Sequence, residues 1–122
     1  MGDSHAGETV KKADLPELPN LTELEQIASW LHGLAHPTRL QILGALRGTE
    51  RLSPKQLSQL IEPEISLGTA SHHTRELLAA GLVAADGTQA VRGALRHFYR
   101  LSPRGREVLE LVDRLVPHAS KR

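Results

Sequence analysis

Five arginines, Arg92, Arg96, Arg100, Arg104 and Arg106, fall within 15 residues, and no acidic side chain interrupts them before Glu107. Guanidinium groups at that density, without carboxylates to pair with, suit the phosphates of a nucleic acid. A second polar group lies upstream. Ser71, His72 and Arg75, spaced i, i+1 and i+4, share one face if the segment is helical, with Thr69 nearby. A third is Ser53, Lys55 and Gln56, where the free N–H groups of a helix start and a lysine can hold a phosphate oxygen. Catalytic chemistry finds no comparable support: there is no G-x-S-x-G elbow, Walker loop, H-E-x-x-H or paired carboxylates, so no enzyme is expected. Cysteine is absent, which excludes thiolate metal sites, disulfides and cysteine nucleophiles. His32 and His36 are four apart, but Pro37 ends a helix there, and His118 after Asp113 lacks further ligands. No metal or other cofactor is expected.

The 122 residues carry a formal net charge of +1 that divides unevenly. Residues 1 to 34 hold two lysines against six acids, or −4, and residues 35 to 122 hold 13 basic groups against eight acids, or +5. The body is basic and its leader acidic. At 39% hydrophobic and 24% charged the composition is that of one soluble globular domain. Aromatics are limited to Trp30, Phe98 and Tyr99, so the core is aliphatic, which suits helix packing. No run approaches the roughly 18 apolar residues of a membrane span, and the start has no signal-peptide core; no membrane partner and a cytoplasmic location are expected.

These groups need positioning elements. Residues 1–20 lack apolar periodicity and read as a flexible N-terminal arm. Thr22 and Glu25 form a capping-box pattern before Leu24, Ile27, Ala28, Leu31 and Leu34 at helical spacing. Pro37 opens a second helix that Gly48 stops, and Ser53, Pro54 and Gln56 open a third over about 54 to 61. Ser66 caps a fourth, about 67 to 80, with Leu77 and Leu78 inward and Gly81 as a left-handed terminator. The period then changes from 3.6 to 2: a short run Leu82 to Ala85, a turn-like stretch DGTQAVRGA and an alternating run Leu95 to Leu101 predict a β-hairpin with a long tip. Ser102 and Pro103 start a last helix that Pro117 ends. The fold class is mainly α with a small β-hairpin: about five helices and a two-stranded wing in a domain spanning 21–117, then a tail, 118–122. Two helices joined by a short break and followed by a ribbon can set the second helix in the major groove of DNA.

The stretches LAHPTRLQILGAL, LSPKQLSQLI, TASHHTRELLAAGLV and RHFYRLS, in that order, resemble the winged helix-turn-helix core of the ArsR-type family of bacterial transcriptional regulators, over about residues 31 to 102. The resemblance implies a homodimer whose first and last helices form the interface, binding double-stranded DNA as a repressor. This chain departs from the family pattern in its longer EPEIS turn, in Thr74 at a usually apolar position, and in Leu67 and Gly68 where polar base-reading side chains are common.

The residues assigned to DNA are Ser53, Lys55, Gly68, Thr69, Ser71, His72, Arg75, Gln89, Arg92 and Arg96, with Gln89 and Arg92 at the wing tip. Those assigned to the dimer are Leu24, Ile27, Leu31, Val108, Leu111, Val112 and Leu115, because the last helix carries more apolar residues than one stripe requires. The alternative is a winged-helix module that binds a protein and has no specific DNA contacts. Any small-molecule effector is left open.

Overall fold

The computed structural model describes residues 9–116; the first eight residues of the arm, Pro117 and the 118–122 tail lie outside the described residues. Five helices and one hairpin follow in order: α1 (Leu21–Leu34), α2 (Pro37–Arg47), α3 (Pro54–Leu60), α4 (Leu67–Ala79), β1 (Val83–Val91), β2 (Ala94–Leu101) and α5 (Pro103–Leu115). Residues 9–20 are exposed and contain a single 3-10 turn, Lys12–Asp14.

Local signals set most helix starts. His36 stands before Pro37 in extended backbone, and its Nδ1 accepts the Thr38 N–H at 3.1 Å. Ser53 caps α3 reciprocally: Oγ accepts the Gln56 N–H, and Gln56 Oε1 accepts the Ser53 N–H. Ser66 caps α4. At its end Gly81 takes φ +79° while the Leu82 N–H reaches Leu77 O and the Gly81 N–H reaches Leu78 O, the Schellman arrangement that only a left-handed residue closes cheaply. The first helix starts differently from the prediction. Its cap is Asn20, which exchanges bonds with Glu23 at 2.8 and 2.9 Å, and Thr22 lies inside the first turn.

The core gathers around α2. Ile42, Leu43 and Leu46 are wholly buried against Leu57, Ile61, Leu77, Leu82, Leu101 and Leu109, each contributing roughly 1.5–3 kcal/mol. Leu78 turns outward, so Leu77 alone is the inner residue of that pair. Val108 corrects the predicted interface: it is buried in the protomer's own core, and Val112 packs against that core half-buried. A 3.6-residue period reveals the apolar face of α5 but not which neighbour covers each part of it.

The hairpin is longer than predicted and its tip shorter. Pairing runs from Val83↔Leu101 to Val91↔Ala94, leaving Arg92 and Gly93 as a two-residue turn with φ +51° and +81°. The glycine in DGT serves a bulge instead. Between Ala85↔Tyr99 and Thr88↔His97 two residues of β1 face one of β2, and Arg51 fastens the irregularity, donating to Asp86 O at 2.8 Å while its guanidinium lies 4.1 Å from the Phe98 ring centroid. Burial along β2 does not alternate simply: Phe98 is buried, whereas Arg96 is half-buried and Arg100 exposed. Leu52 bonds both ways with Tyr99, tying the approach to α3 onto the wing.

Candidate nucleic-acid interface

Helix α4 divides cleanly by burial. Ala70, His73, Thr74 and Leu77 face the core, and Thr74, the polar residue at a usually apolar position, is satisfied by donating to Ala70 O at 2.7 Å. Leu67, Gly68, Thr69, His72 and Arg75 are exposed, with Ser71 half-buried. Contacts from α2 and its N-cap residue hold the helix and the turn before it. Arg39 Nε donates to His73 Nδ1 at 3.0 Å, and the His36 and His73 rings lie 4.4 Å apart. Gln41 clasps the turn before α4, donating to Glu62 O and accepting the Glu62 N–H, both at 2.9 Å. Burial, followed by the proximity of His36, Arg39 and His72, pushes the His73 pKa below its ordinary 6.5, with Glu76 opposing. A neutral His73 is what the bond requires, because its Nδ1 must accept.

Between α4, the start of α3 and the wing lies an open cleft of about 520 Å³. Lys55, Ser71, Arg75 and Arg96, predicted from three separate stretches, all line it. Among the described residues no carboxylate lines it and none of the three cations has an ion-pair partner. An uncompensated cluster of this kind attracts polyanions. Leu67, Leu95 and Tyr99 form apolar walls, of which only Leu67 stood at a position expected to face DNA; Leu67 and Leu95 are 54% and 61% exposed.

The other predicted residues lie elsewhere. Ser53 corrects the list: it is wholly buried and its hydroxyl is committed to the α3 cap, so it offers nothing to a surface ligand. Gly68, Thr69 and His72 are exposed beside the cleft, and Thr69 Oγ1 accepts from Ser66 Oγ at 2.9 Å. Gln89 pairs with Arg96 across the wing, and Arg92 projects from its tip. The arginine run disperses. Arg100 donates to Ala85 O, while Arg104 pairs with Glu107 and lies 4.0 Å over the Trp30 ring.

Leu24, Ile27 and Leu31 of α1 and Leu111 and Leu115 of α5 are also exposed. Leu115 is 82% exposed. No helix of the described residues is long and apolar enough to cross a membrane.

Residues 34–84 match the family model described as a helix-turn-helix domain. Comparison with curated proteins gives no match. Among solved structures, the chain is similar to the homodimeric winged helix-turn-helix DNA-binding domain of Mb0332 from Mycobacterium bovis, titled a possible ArsR-family transcriptional regulator: 25% identity, 83% of this chain and 89% of that one covered, TM-score 0.63. The transcriptional repressor BigR from Xylella fastidiosa gives 26% identity, coverage of 77% and 86%, and a TM-score of 0.59. The AntR antimony-specific transcriptional repressor shares the fold at 21% identity, coverage of 93% and 98%, and a TM-score of 0.68. Soft metalloid ions favour thiolates, and this chain has no cysteine; among the described residues no group of three or more His, Asp or Glu side chains is placed to hold a metal ion.

Proposed function

We propose, from the chain's helix-turn-helix match and its likeness to ArsR-type winged helix-turn-helix proteins, that it is one of them and acts as a homodimeric, sequence-specific regulator of transcription on double-stranded DNA, working as a repressor in the cytoplasm. The observation that carries the proposal is the meeting of Lys55, Ser71, Arg75 and Arg96 around one cleft with no carboxylate among them. In this reading α4 is the recognition helix in the major groove, Lys55 and Arg96 hold phosphates, and Gln89 with Arg92 reach the backbone or minor groove from the wing. The exposed leucines of α1 and α5 meet their twofold mates, setting two recognition helices about 34–36 Å apart. No catalytic step is assigned.

Selection of duplexes from a random library, followed by anisotropy titration of Lys55→Ala, Arg75→Ala and Arg96→Ala, tests this. Wild type should prefer the selected duplex over random DNA by at least about 10³-fold. Loss of a phosphate-binding cation should flatten the plot of log K against log salt by about 0.9. No preference above random duplex overturns the proposal. A second reading, a winged-helix module that binds a protein, draws on the exposure of Leu67 and Leu95 within the same cleft.

A further inference from the structure

Leu67 opens α4 with an apolar side chain 54% exposed, although an exposed leucine gains nothing from burial. It shares a stripe with Ser71 and Arg75 at i, i+4 and i+8, and all three line the cleft. Of the first-turn residues, Leu67 is the one that lines the cleft. Gly68 has no side chain, and the nearest atom to a Cβ built there is Ser66 Oγ at 4.0 Å, so the backbone is open to close approach. Thr69 is engaged by the cap, its N–H donating to Ser66 Oγ and its Oγ1 accepting from it. Leu67 is therefore the first-turn side chain that a ligand in the cleft would meet.

If α4 occupies the major groove, as the proposed function holds, one apolar group is displayed there: the C5 methyl of thymine. The cations Lys55, Arg75 and Arg96 around the same cleft, unpaired among the described residues, favour a polyanion over an apolar protein surface, and phosphate contacts would fix the register in which Leu67 meets a base. We propose that Leu67 is a specificity-determining residue that reads a thymine through its methyl group, with Ser71 and Arg75 facing the adjoining base pairs. Leucine neither donates nor accepts a hydrogen bond, so its discrimination rests on that methyl alone.

The inference rests on the DNA-binding reading, and one experiment separates their failures. Duplexes selected by the full-length wild-type protein are resynthesised with each deoxythymidine replaced in turn, symmetrically in both half-sites, by deoxyuridine, which removes only the methyl. Wild type is expected to lose about three- to tenfold in affinity at one thymine per half-site and to tolerate the others. Leu67→Ala, exposed and so expected to fold normally, should bind the deoxythymidine and deoxyuridine duplexes alike at that position. Failure to enrich any sequence overturns the DNA reading and the inference together. Enrichment in which no deoxyuridine matters, or in which it weakens wild type and Leu67→Ala equally, overturns the role of Leu67 and leaves the DNA reading standing.

Discussion

Arg39 and His73 are joined by a 3.0 Å hydrogen bond in which the guanidinium Nε donates to the imidazole Nδ1, so a residue of α2 fixes a residue on the inner side of α4. The bond exists only while Nδ1 is unprotonated. It also places a permanent cation beside a buried titratable ring, with the His36 ring 4.4 Å away.

Stability should therefore depend on pH near neutrality. The folded-state pKa of His73 is lowered, so below about pH 6.5 the unfolded chain binds a proton that the folded chain resists. Stability from this site is complete above that value and declines as the pH falls toward the folded-state pKa. Thermal melts should show Tm falling between about pH 7 and 5, and His73→Asn, which keeps an acceptor without a titrating ring, should flatten that slope at a lower absolute Tm. Parallel slopes for the two proteins would refute the assignment.

Gly105 should not tolerate a side chain. A Cβ there would overlap the carbonyl oxygen of Leu82 and stand 2.9 Å from Leu101 Cδ1, at the point where α5 leaves the hairpin. Ser102, bonded to Gly81 O at 2.7 Å and to the Gly105 N–H at 2.9 Å, leaves α5 little freedom to withdraw. Gly105→Ala should cost at least about 3 kcal/mol, a fall in Tm of roughly 10–20 °C. Denaturant titration gives the value directly, and a cost under about 1 kcal/mol contradicts the packing described.

Arg92 occupies a left-handed position, φ +51°, where asparagine followed by glycine is the favoured pair. Arg92→Asn should raise stability by about 0.5 kcal/mol while weakening binding to selected DNA, because the turn improves as the tip loses its charge. The opposite signs are the test, read from a melt and an anisotropy titration on the same variant.

Leu111 and Leu115 are 56% and 82% exposed on α5. If a second copy covers them, the double change to glutamate should reduce the mass seen in sedimentation from twice 13.3 kDa to 13.3 kDa. The far-UV spectrum should not change, since neither side chain belongs to the protomer core. A dimer that persists in the double variant would move the interface elsewhere.

The parts of the fold legible in the sequence are those whose cause is local. Pro37, the Ser53–Pro54–Gln56 cap, Ser66 and Gly81 each satisfy or terminate a helix with atoms a few residues away, and the structure uses them all. Ambiguity enters where two local patterns overlap. Asn20 with Glu23 and Thr22 with Glu25 are both capping boxes on paper, and both DG and RG mark turns, yet one glycine shapes a bulge and the other the tip. The cations of the cleft were visible as charge without compensation. Its apolar walls were not, because Leu67, though at a base-reading position, and Leu95 are 28 residues apart, and only tertiary structure brings them uncovered to one cleft.

Trp30, the sole tryptophan, lies beneath the Arg104 guanidinium where α1 approaches the start of α5. The chain thus has a native optical probe at the junction of its first and last helices, outside the lining of the groove that holds Arg75 and Arg96. Emission from that indole can register a change in subunit arrangement without any attached dye, and a titration with nucleic acid that leaves it constant would mean the two ends of the protomer work independently.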